Sequence, residues 1–270
     1  NPRLFLKAAV LLMLFPALVC LFLPDTIAIG YTKIMHPLAL LIGSILSLRA
    51  ASMYKKWLRQ SFLFLALFLF FLMLANIEPL WVIVCTTVGD LAPFIILPFQ
   101  WITYSMLVIS SFYTLKVMER RGLSKKDWLI IAAMLLIGTL LVIHQMSTLL
   151  RYSGLYALAL LLILFLDVAI VIMLTPVVLL YVRRMRLEKR ESITFTTVTC
   201  GIILSLTVAY GYALAFDVPL YVVRYALYHT GSILDALYLF SYLIIAVGLY
   251  VHTKYDEWGL KMIEKVLAGG

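Results

Sequence analysis

Eight long apolar runs divide this chain, and its lysines and arginines fall on alternate gaps between them. A helix needs about 20 apolar residues to cross the hydrocarbon of a bilayer. Runs of that length lie at roughly 4–24, 34–54, 58–78, 92–117, 127–148, 154–182, 194–216 and 232–253. One set of gaps holds Arg3 and Lys7; Arg49, Lys55, Lys56 and Arg59; Lys116, Arg120, Arg121, Lys125 and Lys126. It continues with Arg183, Arg184, Arg186, Lys189 and Arg190, and then Lys254, Lys261 and Lys265. The other set holds only Lys33, Arg151 and Arg224, so 19 of the 22 cations share one side. Lys and Arg in short loops stay on the cytoplasmic side. The pattern predicts a multi-pass protein of the cell (plasma) membrane with both ends in the cytoplasm.

Composition points the same way. With 64% of 270 residues hydrophobic and a mean hydropathy of +1.07, the chain has too little polar surface for a soluble domain. Backbone amides inside lipid must be bonded within their own segment, which makes helices the spanning element, and the alternation of barrel strands is absent. The expected fold is therefore all-α: a polytopic bundle of eight transmembrane helices over residues 1–254, with a cytoplasmic amphipathic tail or linker at 255–270. In that tail Trp258, Met262 and Val266 recur every four residues, with Lys261, Glu264 and Lys265 between them. The net charge of +9 lies beside the spans, where topology and anionic lipid headgroups account for it, and no nucleic-acid partner is expected. The first run ends at Leu23-Pro24-Asp25 without a small-residue cleavage site, which predicts a retained span rather than a leader. Cys20, Cys85 and Cys200 lack metal-type spacing and read as small buried hydrophobes.

The chain reads as duplicated, four spans and four. Ile77-Glu78-Pro79-Leu80-Trp81-Val82-Ile83 follows the third span, and Asp217-Val218-Pro219-Leu220-Tyr221-Val222-Val223 follows the seventh. Each is trailed by a glycine (Gly89, Gly231), an acid (Asp90, Asp235) and a long final span. Repeat one is residues 1–120 and repeat two 125–254; an even number of spans per copy implies a pseudo-twofold along the membrane normal. Segments 77–91 and 217–231 are expected to form two short outer interfacial helices, with Trp81, Tyr221, Tyr225 and Tyr228 at headgroup level.

The sparse polar residues supply the functional candidates. His36, His144 and His229 map to the outer side with Asp25, Glu78, Asp90, Arg151, Asp217, Arg224 and Asp235. Either these are solvated loop residues, or Glu78, Asp90, His144, Arg224, His229 and Asp235 line a polar pocket for a small ligand. Imidazole titrates near neutral pH, so such a cluster also suits a pH sensor. Asp167 sits at mid-span, where a carboxylate is costly and normally faces the bundle interior with a partner. Arg49, toward the cytoplasm, forms one such intramembrane pair with it. A protonated Asp167 bonded to Gln100 or a hydroxyl is the alternative, and a proton-coupling role a third. Gln100, Thr103, Tyr104, Ser105, Thr196, Thr197 and Thr199 read as interhelical hydrogen-bonding positions, and Pro93, Pro98 and Pro176 as kink sites.

Several chemistries find no support. No span carries an interior lysine for a retinal Schiff base, and no phosphate loop, His-Glu-x-x-His or nucleophile-elbow motif occurs. Asp167 has no second deep acid for an aspartyl protease. His36 and His144 share a depth that bis-histidine haem would need, yet no spacing matches a metal motif. The reading is of a non-enzyme with no metal and no cofactor.

Residues 231–250, Gly231-Ser232-Ile233-Leu234-Asp235-Ala236-Leu237-Tyr238 through Gly248-Leu249-Tyr250, resemble the last span of N-terminal multi-helix membrane sensor regions of prokaryotic signalling proteins. Those regions read small-x-x-x-Asp-x-Leu-Tyr-x-x-x-Tyr and end in Gly-Leu-Tyr before a cytoplasmic linker. The chain departs from them in having eight spans where seven are usual. The resemblance implies a sensory module that passes its signal to a cytoplasmic signalling domain. Two other readings stay open: a small-molecule or ion transporter using Asp167, and a membrane-embedded subunit of a larger complex. The bilayer is the expected partner in every case, with a partner membrane subunit or a homo-oligomer left open.

Overall fold

The computed structural model describes residues 2–88, 92–118, 125–149, 189–216 and 231–258. All regular structure among these residues is helical: α1 (Pro2–Phe22), α2 (Asp25–Ser52), α3 (Lys56–Ala75), α4 (Glu78–Val88), α5 (Ala92–Met118), α6 (Lys125–Leu149), α7 (Lys189–Phe216) and α8 (Ile233–Trp258). Helix lies on every expected apolar run except 154–182, which is outside the described residues. Three helices, α2, α3 and α8, are long and apolar enough to cross a membrane. The protein is an all-helical membrane protein.

Two helices begin or end differently from expectation. The second was expected from 34, with 25–33 as an outer loop, but α2 starts at Asp25. Pro24 supplies the start: its carbonyl accepts from the Ile27 and Ala28 amides at 2.9 and 3.0 Å. Ala28, Thr32 and His36 then form a buried stripe at helical spacing, which ties the extra turns to the core. At the other end α8 continues past Lys254 to Trp258. Tyr255 is buried there, and Trp258 lies 5.1 Å from the Phe5 ring of α1. Pro98 sits inside a continuous α5, and Pro93, in its first turn, needs no amide partner there. The third expected kink site, Pro176, is outside the described residues.

Side-chain contacts give each pair of neighbours a direction. Ser44 donates to the Ala66 carbonyl (2.9 Å) and Ser47 to that of Phe62 (2.8 Å), so α2 and α3 are antiparallel. Ser110 donates to the Ser61 carbonyl (2.8 Å) while Phe71 meets Phe99 at 5.7 Å, so α3 and α5 are antiparallel. His36 meets Asp235 and Tyr54 meets His252, so α2 and α8 run parallel. Thr194 meets His252 and Gly201 faces Ser241, so α7 and α8 are antiparallel. Lys55, Lys56, Arg59, Lys116, Lys189 and Lys254 consequently gather at one end of the bundle. Lys33 lies at the other.

Between the ends, Leu40 of α2, Phe62, Leu65 and Leu69 of α3, Leu107 of α5, Ile202 of α7, and Leu239 and Ile245 of α8 are sealed into one core. The hydroxyls that bridge helices are Ser44, Ser47, Ser61, Ser110, Thr114 and Thr194. Two of the expected bridging positions behave otherwise: Thr103 bonds back to Phe99 and Thr197 to Thr194 within their own helices. Serine and threonine alike can bond back to the carbonyl three or four residues earlier, and the closeness of the crossing decides which hydroxyl reaches a neighbouring helix. Gln100, 3% exposed, and the Thr196 hydroxyl are buried with no hydrogen-bond partner among the described residues. Cys200 is exposed rather than buried, because its side of α7 carries no neighbouring helix among the described residues. Cys20 is partly buried.

Candidate functional site

The end bearing Lys33 holds a polar cluster built by α1, α2, α3, α4 and α8. Its foundation is the start of α8. Gly231 takes φ +68, a conformation open to glycine, and a Cβ there would lie 3.1 Å from the Asp25 carbonyl oxygen. Both constraints let the α8 entry sit against the α1–α2 turn. The Gly231 amide donates to Asp235 Oδ2 at 2.7 Å, and the Leu234 amide to Ser232 Oγ at 3.3 Å. Ser232 and Asp235 thus cap the helix, and a carboxylate in the first turn is favoured by the helix dipole.

Asp235 is 2% exposed. Its backbone carbonyl is 3.2 Å from His36 Nε2. A carbonyl only accepts, so Nε2 carries the proton and fixes the imidazole tautomer. The His36 ring is packed edge-on to Tyr242 at 5.6 Å and lies 6.0 Å from Tyr238. Tyr242, itself buried, has Tyr238, Tyr104 and Asn76 as polar neighbours, and Cys20 of α1 lies within electrostatic reach of Asp235. At the rim, Lys33 Nζ pairs with Glu78 Oε2 at 2.6 Å, both side chains partly exposed.

Two of the sequence candidates, Asp235 and Glu78, therefore come to one end of α2. The first of the two expected short helices is present as α4, with Trp81 buried against the bundle. Its indole donates to the Leu74 carbonyl at 2.9 Å and packs on Phe99 at 5.1 Å; the last carbonyls of α3 need such a donor. Asp90, Asp167, Arg224 and His229 lie outside the described residues. His144 sits near the end of α6, with its side chain outside them. Arg49, the proposed partner of Asp167, is exposed on the last turn of α2.

The opposite end of α8 carries a second buried contact that sequence reasoning passed over. His252 is fully buried between the Tyr54 hydroxyl (Nε2, 2.9 Å) and the Thr194 hydroxyl (Nδ1, 2.8 Å). Hydroxyls donate or accept, so both ring nitrogens are satisfied in either tautomer. Its ring also meets Phe62 at 5.1 Å. One imidazole thereby joins the α2–α3 turn, α3, α7 and α8. Sequence gives no signal for it, because His252 stands next to the basic fringe and reads as interfacial.

Among the described residues no three His, Cys, Asp or Glu side chains come together in a way that would hold a metal ion. At its rim the cluster presents a partly exposed ammonium and carboxylate, groups able to hydrogen-bond polar partners. No family model, curated protein or solved structure matches this chain.

Proposed function

We propose that the protein is a non-enzymatic sensory module of the plasma membrane, in which an outer polar site biases the packing of α8 and the cytoplasmic end of α8 carries the output. The observation that supports it most is that α8 is held at both ends by polar contacts, to α2 at one end and to the α2–α3 turn and α7 at the other. These are His36–Asp235 at one end and Tyr54–His252–Thr194 at the other. The two lie 17 residues apart on α8, about 25 Å at the helical rise. A ligand or partner that engages the rim at Lys33 and Glu78, next to the His36–Asp235 contact, acts on that contact and alters the second through a rigid helix. The same reading takes the bundle as eight spans in two four-helix repeats, with both chain ends in the cytoplasm by the distribution of its cations. The 231–250 resemblance to sensor regions accords with it.

The test perturbs one end and reads the other. With the native cysteines replaced, spin labels at Ser52 and Glu257, both exposed near the basic end, report the α2–α8 separation. His36→Ala and His36→Phe, which remove the imidazole partner of the Asp235 carbonyl, are expected to shift that distance distribution in protein that remains folded. An unchanged distribution in both variants overturns the reading.

A further inference from the structure

The cations at the basic end of α3 serve topology, but topology alone does not require the aromatic and helix-end arrangement in which they stand. Lys55 is the N-cap of α3, Lys56 and Arg59 stand in its first turn, and Lys116 closes α5 beside them. All four are exposed. Lys116 Nζ lies 4.5 Å from the centroid of Trp57 and 4.8 Å from that of Phe112. Tyr113 stacks on Trp57 at 5.6 Å and on Phe64 at 5.6 Å, extending the aromatic wall down the apolar face. The ion pairs among the described residues are Lys33–Glu78 and Lys254–Glu257, so none of these four cations has an acidic partner there.

This crowding is electrostatically adverse. A helix N-terminus is itself positive, with its first amides unsatisfied. Here the cap gives no side-chain hydrogen bond, and the first turn holds no acid. Lys56 adopts φ +55, a region lysine seldom enters. Four cations, uncapped amides and a strained turn share this end of the α3–α5 pair, and an anion bound there relieves the repulsion.

We propose that this end of the α3–α5 seam binds the phosphate headgroup of an anionic glycerophospholipid. The aromatic wall decides for a lipid over a free anion. Trp57 and Phe112 are 47% and 45% exposed, at the level where α3 enters the apolar layer, and they offer acyl chains a surface directly below the charge. Lys116, held over two rings, is prepositioned and desolvated on one side. The site is independent of the cluster at the Lys33 end.

The full chain is reconstituted in nanodiscs of phosphatidylcholine with a minor share of phosphatidylglycerol, and co-retained lipid is counted by native mass spectrometry after mild extraction. Replacing Lys55, Lys56, Arg59 and Lys116 together by glutamine is expected to weaken phosphatidylglycerol retention by at least about tenfold, while the same change at Lys7, Lys189, Arg190 and Lys254 leaves it within about twofold. Equal losses in the two sets reduce the site to a diffuse basic belt and overturn the proposal. Trp57→Leu keeps every charge and is expected to weaken retention severalfold; unchanged retention overturns it. Displacement of the lipid by glycerophosphoglycerol or inorganic phosphate at comparable concentration reassigns the site to a free anion and likewise overturns it.

Discussion

Replacing Gly248 with alanine tests a close crossing of α7 and α8. A Cβ at Gly248 would lie 2.7 Å from the Thr197 Cβ and closer still to its hydroxyl oxygen. The hydroxyl can rotate away, but the Thr197 Cβ is fixed to its backbone, so α7 and α8 must separate locally. Overpacking of this kind costs roughly 1–3 kcal/mol. Alanine in place of glycine also raises helix propensity by about 1 kcal/mol, which obscures the cost in a single variant. Gly30→Ala removes that ambiguity, because a Cβ on Gly30 meets nothing within 4 Å. The difference in unfolding free energy between Gly248→Ala and Gly30→Ala isolates the crossing, and should reach about 1–3 kcal/mol, a factor of about 5–150 in the folded ratio. Gly43→Ala, facing only the Leu69 Cδ1 at 3.3 Å, should fall near Gly30→Ala. The assay is reversible unfolding by denaturing detergent followed by circular dichroism. Thr197→Gly should rescue Gly248→Ala but not Gly30→Ala, a coupling that a double-mutant cycle reads directly. Equal stability of Gly248→Ala and Gly30→Ala would refute the reasoning.

His252→Phe leaves the Tyr54 and Thr194 hydroxyls without the imidazole and should cost about 1–3 kcal/mol, while Tyr54→Phe costs about 1, both by the same unfolding assay. Ser61→Ala removes contacts to Thr114 at 2.6 Å and Ser110 at 3.1 Å and should destabilise by about 0.5–1.5 kcal/mol, more than Ser52→Ala at an exposed helix end. Lys33→Gln and Glu78→Gln should each change stability by less than about 1 kcal/mol, with the effect shrinking as salt rises, since the pair is partly exposed.

Sequence made the helices legible because apolar length and the basic gaps are local properties. Lys55, Lys56, Arg59, Lys116 and Lys254 at one end, with Lys33 at the other, were readable without coordinates. Helix ends were less so: Asp25–Lys33 looks like a loop by polarity, and only the Pro24 start and the Ala28–Thr32–His36 stripe extend α2 across it. Contacts between distant segments were not legible. Nothing in a string of residues says that His252 meets Tyr54 and Thr194, or that Ser44 rather than Thr103 bridges two helices. In an apolar surround a hydroxyl bonds whichever carbonyl the crossing brings near, and the crossing is set by small residues such as Gly201 and Gly248 at long range. Asp235 was found as a polar candidate, but its hydrogen bond to Gly231 needed the left-handed turn to be seen.

These contacts also decide how α8 is able to move. A sliding of α8 by one helical turn, about 5.4 Å, carries Asp235 off His36 and His252 off Tyr54 together, so it breaks both contacts at once. A tilt breaks them one at a time. Its fulcrum is where α7 and α8 touch most closely, at Gly201 against Ser241 and Ile245 and at Gly248 against Thr197, between residues 235 and 252. Tilt is therefore the cheaper motion for a signal arriving at the Lys33 end. Labels at Ile27 and Ile233 paired with those at Ser52 and Glu257 should show one α2–α8 separation opening as the other closes. Separations that instead shift along the helix axis at both ends together refute the tilt.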